Sequence, residues 1–301
     1  MAHTMELRLA GPAGEAVDLW RTFVSHGIAE LPPMRVDEST RTFAITLPVP
    51  RARPRMVEVA AGRRSFATVT VSGRAPGAKT LDSLMTTLRH VLGLDENLSE
   101  FYALAASDPD LEWVTSGAGR MIRSPTVFET VAKTICTTNC SWAATRRMVH
   151  ALVEHLGEPA VGAAGRAFPT PEALASAGDG FLREVARAGY RGPYLIALAH
   201  QVLDGLDLEQ LDPSGGLHDD EVYERLLELP GVGPYAAAHI MMMLGRHSRL
   251  ILDSWTRPKY ARLVGRKRVA DATIVRRFRR YGPYAGLAFW LFLTHDWVAD
   301  R

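Results

Sequence analysis

The sequence predicts an α+β protein, in which a small N-terminal domain with a β-sheet precedes a mostly α-helical body. Residues 41–47 and 67–71 carry β-forming side chains at every second position, which is the periodicity of a strand buried on one face. From residue 80 onward, apolar residues recur at helical spacing instead. The stretch 73–79 contains two glycines and a proline, and it marks the expected boundary between the two patterns.

The two expected domains differ in their elements. Domain 1–76 would hold these strands, a shorter third strand at 56–59, and a helix at 15–26 that lies across the sheet. Domain 77–301 would be helical, with serine, proline or acidic residues at the starts of its helices. We expect helices at residues 80–92, 127–135, 141–156, 171–188, 193–205 and 219–229.

Composition argues against several classes of protein. The sequence has no run of about 18 apolar residues, so we expect no membrane-spanning helix. Its first residues lack a basic segment followed by an apolar core, so we expect no secretory leader. The two cysteines, Cys136 and Cys140, lie one helical turn apart, which is poor geometry for a disulfide. These features favour a cytoplasmic protein without a membrane partner.

Basic residues concentrate in one stretch of a chain whose net charge is only +2. Residues 257–280 contain ten Lys or Arg and a single acid, Asp271. A basic face on a nearly neutral protein is typical of a polyanion partner, most often nucleic acid. A solvated helix face is the alternative interpretation of such a run.

A glycine-bounded turn, Leu-Pro-Gly-Val-Gly at 229–233, follows an acidic-capped amphipathic helix and precedes a helix rich in Ala and Met. Gly231 and Gly233 would allow positive φ and close approach to another surface. Free amides at the start of the second helix favour an anion such as a phosphate. The pattern therefore predicts that Gly231, Val232 and Gly233 hold a nucleic-acid backbone, with a plain structural turn as the alternative.

This turn, with Asp253 twenty residues after Gly233, resembles the helix–hairpin–helix (HhH-GPD) DNA glycosylases. Residues 123–142 resemble the family's helix that carries a DNA-intercalating wedge, and residues 184–199 resemble its L-x-x-x-G-Y-R-x-x-Y segment. The resemblance implies a two-lobed body with these parts: a wedge segment at 123–142, a helix–hairpin–helix at 219–245, a catalytic loop at 250–257 and basic helices at 257–297.

The resemblance also implies how the parts act on DNA. Asp253 would be the catalytic carboxylate that stabilises positive charge on the sugar, although an aspartate before a helix is also a common N-cap. Asn139 would fill the gap left by an extruded base, or it would merely link two helices. Arg257, which follows the catalytic loop, is expected to contact DNA.

An aromatic pocket for the extruded base is implied as well, with core packing as the alternative for each member. Phe289 competes with Trp290 if the 8-oxoguanine branch of the family is the better template. The candidate pocket residues are Tyr235, His239, Trp290, Phe289, Trp142 and Trp255.

Residue types that some family members use, and that this sequence lacks at the matching positions, bear on mechanism and cofactors. Bifunctional members of the family carry a lysine two residues after the second hairpin glycine, where this chain has Tyr235, so a monofunctional enzyme that leaves an abasic site is expected. No cysteine follows Cys140, so no iron–sulfur cluster is expected. The resemblance implies a K⁺ or Na⁺ ion on three backbone carbonyls, those of Leu227, Leu229 and Val232.

The resemblance leaves the damaged base open. An electron-rich pocket favours an alkylated purine such as 3-methyladenine, with 8-oxoguanine or another damaged base as the alternative. A catalytically inactive lesion-binding protein is the alternative from another class. In either case the expected partner is double-stranded DNA with a damaged base, and we expect a monomer associated with a bacterial nucleoid.

Overall fold

A computed structural model describes residues 2–298 and confirms the α+β class. Residue 1 of the expected N-terminal domain and residues 299–301 of the expected helical domain lie outside the described residues. A five-stranded antiparallel sheet comes first in the chain, and the regular elements after it are α-helices and short 3₁₀ or π-helical turns joined by loops.

The sheet has the strand order β1-β5-β4-β3-β2, with every neighbouring pair antiparallel. Its strands are β1 (His3–Arg8), β2 (Met34–Asp37), β3 (Thr42–Val49), β4 (Ala52–Ala61) and β5 (Phe66–Val71). The predicted strands at 41–47 and 67–71 are confirmed as β3 and β5. In β5 the alternation buries Ala67, Val69 and Val71 on one face, as the period-two pattern requires. β4 extends well beyond the predicted 56–59 because it pairs along both of its edges.

The helices are α1 (Leu19–Phe23), α2 (Ala78–Val91), α3 (Ser99–Ala105), α4 (Val127–Thr137), α5 (Trp142–Leu156), α6 (Pro171–Ala175), α7 (Gly178–Gly180), α8 (Arg191–Leu203), α9 (Asp219–Leu227), α10 (Pro234–Met243), α11 (Thr256–Leu263), α12 (Asp271–Phe278) and α13 (Ala285–Thr294). Most predicted helices are confirmed to within a few residues. Ser141 caps α5 as expected, since its hydroxyl accepts from the amide of Ala144 at 3.3 Å.

Two predicted helices are wrong in extent. The helix expected at 15–26 is only the five-residue α1, followed by a 3₁₀ turn at Gly27–Glu30. The helix expected at 171–188 breaks at Gly178, whose φ of 72° lies in the left-handed region, and continues as a π-helical turn at Phe181–Val185.

The core of the helical part forms around α4, which packs against α5, α8 and α10. All of its residues from Val127 to Cys136 are buried. Among residues 2–298, no helix has both the length and the apolar character needed to cross a membrane.

Candidate active site

The hairpin between α9 and α10 is held in shape by Gly231. Its φ is 75°, and a Cβ built there would lie 2.6 Å from a ring carbon of Tyr194. Gly233 caps α10 with φ of −106° and lies exposed, with open space around a Cβ placed on it. Of the two glycines, only Gly231 therefore needs to be glycine for the fold. The amide of Val232 donates to the Leu229 carbonyl at 3.1 Å, so the turn itself already uses this predicted DNA-binding amide.

We predict that these two glycines respond differently to alanine. Gly231→Ala should lower the free energy of unfolding by roughly 1–3 kcal/mol, because it adds left-handed strain and a clash with Tyr194. Gly233→Ala should leave stability nearly unchanged and weaken binding to duplex DNA, because its methyl group stands on the exposed side of the hairpin. Urea unfolding and fluorescence anisotropy measure the two effects. Equal stability losses in both variants would contradict this account of the turn.

Asp253 lies half-buried in the loop that leads from α10 to α11. Its Oδ1 accepts hydrogen bonds from the backbone amides of Trp255 at 2.8 Å and Thr256 at 2.6 Å. The hydroxyl of Thr256 in turn accepts from the Asp253 amide at 2.8 Å. This reciprocal pair caps α11, so the capping interpretation holds for one carboxylate oxygen. The other, Oδ2, accepts no hydrogen bond from residues 2–298.

A chain of aromatic rings runs through the site. The ring centroids of Tyr235 and His239, one turn apart on α10, are separated by 5.7 Å. His239 is 4.7 Å from His26, and His26 is 4.9 Å from Trp290 on α13. Trp290 is in turn 5.6 Å from Trp255, which is 40% exposed beside Asp253. The structure therefore brings four of the six predicted pocket residues into one cluster.

Titration behaviour ties Asp253 to this cluster. Burial raises the pKa of Tyr235, and the negative charge of Asp253 adds to that increase. Burial lowers the pKa of His239 to about 4, although the charge of Asp253 acts in the opposite direction. The carboxylate of Asp253 is thus close enough to both rings to affect their ionisation.

The predicted wedge residue, Asn139, lies exposed at the tip of the turn between α4 and α5, with φ of 46°. Its amide donates to the hydroxyl of Tyr190 at 3.4 Å. The Arg191 guanidinium donates through Nε to the Thr138 carbonyl at 3.0 Å, which holds the backbone next to Asn139 in place. The Gly-Tyr-Arg segment at 189–191 therefore holds the turn between α4 and α5 through two hydrogen bonds. Tyr235 lies near the same turn, because the side chain of Thr137 acts to lower the pKa of its hydroxyl against the larger effect of burial.

Two predicted pocket residues lie elsewhere. Phe289 is fully buried on α13, with its ring 5.3 Å from that of Phe278 and 6.0 Å from that of Tyr260, so it belongs to a separate core cluster. Trp142 starts α5, where its indole donates to Glu30 at 3.2 Å. It lies beside the 3₁₀ turn at Gly27–Glu30 rather than within the cluster of aromatic rings.

Ion pairs neutralise part of the basic stretch at residues 257–280. Arg257, the predicted DNA contact, donates twice to Asp271, at 2.8 Å each. Acids also pair with Lys259, Arg277 and Arg280. Among the described residues, six basic side chains of the stretch are exposed and lack an acidic partner: Arg262, Arg266, Lys267, Arg268, Arg276 and Arg279.

One site residue was missed by sequence reasoning. His26 precedes the 3₁₀ turn at Gly27–Glu30, is 8% exposed, and lies between His239 and Trp290. No motif surrounds it, and the sequence placed it at the end of a helix that ends earlier. Only packing between segments far apart in the sequence brings it here.

The cation expected on the hairpin carbonyls remains a prediction. The Leu229 carbonyl already accepts the Val232 amide, but a carbonyl oxygen has a second lone pair. Across residues 2–298, no group of three or more His, Cys, Asp or Glu side chains could hold a metal ion.

The structure combines an N-terminal antiparallel sheet, a helix–hairpin–helix and an aspartate that precedes the next helix, and solved DNA glycosylases share this fold. The chain resembles a 3-methyladenine DNA glycosylase from Archaeoglobus fulgidus (TM-score 0.73, 23% identity, 98% of this chain and 100% of that one). It also resembles a Clostridium acetobutylicum 8-oxoguanine glycosylase/lyase in complex with double-stranded DNA (TM-score 0.73, 21% identity, 98% of each chain).

Sequence comparison finds a more limited similarity. A probable N-glycosylase/DNA lyase of Methanothermobacter thermautotrophicus is 25% identical over 227 residues, which is 67% of this chain and 72% of that protein. No protein-family model matches the chain. The predicted family resemblance is therefore confirmed at the level of the fold.

Proposed function

We propose that this protein is a DNA glycosylase that extrudes a damaged base from duplex DNA and hydrolyses its N-glycosidic bond. The observation that carries the proposal is the position of Asp253. Its Oδ1 accepts two backbone amides and so holds the carboxylate at the head of α11. Its Oδ2 accepts no hydrogen bond from residues 2–298, and the carboxylate lies beside an aromatic cluster. A fixed carboxylate next to a stacking surface is what stabilisation of a cationic sugar requires. A protein that only binds lesions has no use for a free carboxylate facing phosphates.

The proposed enzyme is monofunctional. Tyr235 occupies the position of the lysine that lyases use, and the lysines that come immediately before and after it in the sequence, Lys133 and Lys259, are engaged elsewhere. Lys133 is fully buried with its Nζ 2.6 Å from Glu129, and Lys259 is 2.6 Å from Asp296. Water, rather than an amine of the protein, would then attack the sugar. The lyase names of two similar proteins make this the point that most needs a test.

We predict no covalent adduct with DNA. Incubation with substrate duplex and borohydride should trap no protein, because a Schiff base needs an amine at the sugar. Strand cleavage should appear only after alkali, which breaks the abasic site. The Clostridium acetobutylicum glycosylase/lyase serves as a positive control for trapping. A trapped adduct of this protein would contradict the monofunctional mechanism.

An alkylated purine is the proposed substrate, on chemical grounds. Electron-rich indole rings such as Trp255 and Trp290 attract a cationic base, and alkylation also weakens the glycosidic bond. Base release from duplexes with 3-methyladenine, 7-methylguanine, hypoxanthine, uracil or 8-oxoguanine tests the activity and the base together. Release of none of these bases would overturn the proposed function.

A further inference from the structure

His26 and His239 form a directly hydrogen-bonded pair inside the aromatic cluster. Their Nε2 atoms lie 2.9 Å apart, and His239 is 4% exposed. His26 Nδ1 accepts a hydrogen bond from the backbone amide of Ile28 at 3.1 Å. The indole of Trp290 packs on His26 and donates to the Ser25 carbonyl at 2.9 Å, which fixes the backbone beside it. The segment between α1 and the 3₁₀ turn at Gly27–Glu30 thus places one polar side chain, fixed by hydrogen bonds, in the site.

The hydrogen bonds determine where the ring protons lie. Burial lowers the pKa of both histidines, so both rings are neutral near pH 7 and each carries one proton. Since His26 Nδ1 accepts a hydrogen bond, its proton is on Nε2 and is donated to His239. His239 Nε2 is then the acceptor, which leaves the proton of His239 on Nδ1.

That Nδ1–H group is buried and has no hydrogen-bond partner among the described residues. A buried donor without a partner is costly and is uncommon in native proteins. It points away from His26, on a ring that contacts Tyr235 and feels the charge of Asp253. A ligand bound beside Asp253 would therefore be favoured if it offered an acceptor to this group.

We infer that His26 is a positioning residue that holds His239 as its Nδ1–H tautomer, so that His239 donates a hydrogen bond to an acceptor atom of the extruded base. The inference rests on the proposed function. It deepens that function by defining the substrate class, namely bases that keep an unsubstituted ring nitrogen or carbonyl oxygen at the edge facing His239. A base that presents C–H, N–H or a methyl group there would leave the donor unpaired and be released more slowly.

The tautomers are measurable without any substrate. Long-range ¹H–¹⁵N spectra of the ¹⁵N-histidine-labelled full chain should show His26 protonated on Nε2 and His239 on Nδ1. His26→Gln keeps a donor for His239, whereas His26→Phe keeps a ring but no donor. His239 should stay in the Nδ1–H form in the first variant and become a tautomer mixture in the second. His200→Gln, on the exposed end of α8, is the matched control.

Activity is the second readout. His26→Phe should slow release of 3-methyladenine from methylated duplex DNA by about 10-fold or more, with His26→Gln within about 3-fold of the wild type. A purely structural role would predict loss in both variants and no change in tautomer. Thermal melting of each variant verifies that it folds, and the wild-type spectrum decides the tautomer even if His26→Phe does not.

The outcomes separate the two proposals. Wild-type His239 protonated on Nε2 would overturn the inference whatever the activity. Unchanged release by a folded His26→Phe variant would also overturn it. A wild-type protein with the expected tautomers that releases no base from any of the DNA substrates would overturn the proposed function itself.

Discussion

Asp253→Asn should lower the rate of base release by about 10²–10³-fold or more while leaving the affinity for damaged duplex within a few-fold of the wild type. The amide oxygen of asparagine can still accept the Trp255 and Thr256 amides, so the head of α11 stays capped. What disappears is the negative charge that acts on Tyr235 and His239 in the cluster. Single-turnover base release and fluorescence anisotropy measure the two quantities separately.

The chain offers a close control for this substitution. Asp37 holds a turn next to β2 in the same way, because its Oδ1 accepts from the amides of Ser39 at 2.9 Å and Thr40 at 3.2 Å. Asp37→Asn should leave base release unchanged. Asp253→Ala should lose catalysis and also about 1 kcal/mol of stability, because it removes the cap. If Asp253→Asn released base at near the wild-type rate, Asp253 would be a helix cap only.

The parts of the site that sequence reasoning found are those fixed by local chemistry. The hairpin turn depends on Gly231, whose left-handed conformation most other residues resist, and so it is visible in the sequence as glycine. Asp253 and Asn139 also stand at helix boundaries, where capping and turn residues signal their position. Local signals of this kind depend on neighbouring residues and not on tertiary contacts with distant parts of the chain.

The parts that sequence reasoning missed depend on contacts between distant segments. β1 and β2 are the edge strands, and each pairs with only one neighbour. β2 has only four residues, and the inward face of β1 carries only two apolar side chains, Met5 and Leu7, so neither stands out in the sequence as β5 does. The ion pairs of the basic stretch join residues far apart in sequence, as in Arg277 with Asp110. His26 reaches the site in the same way, through packing against residues that are far away in the sequence.

The same buried histidines should make folding strongly dependent on pH. The pKa of His239 is about 4 in the folded protein against an ordinary value of 6.5, and burial also lowers that of His26 well below 6.5. Between these values the unfolded chain binds protons that the folded chain excludes, so stability is lost as pH falls from about 6.5 to about 4. His239 alone should account for about 3 kcal/mol of the free energy of unfolding. Urea unfolding at a series of pH values measures this slope.

Other buried groups titrate over the same pH range, so the test compares the pH dependence of unfolding between variants. Burial raises the pKa values of Glu129 and Glu209, and their protonation favours the folded state as pH falls, opposite in sign to the histidines. These carboxylates are common to all variants and cancel in a difference curve. The double variant His26→Gln/His239→Gln should have a shallower slope than the wild type between pH 6.5 and 4, whereas His200→Gln, which alters an exposed histidine, should parallel the wild type. A double variant with the wild-type slope would mean that the two rings are solvated in solution, and a solvated pair could not hold its ring protons in the positions that base recognition requires.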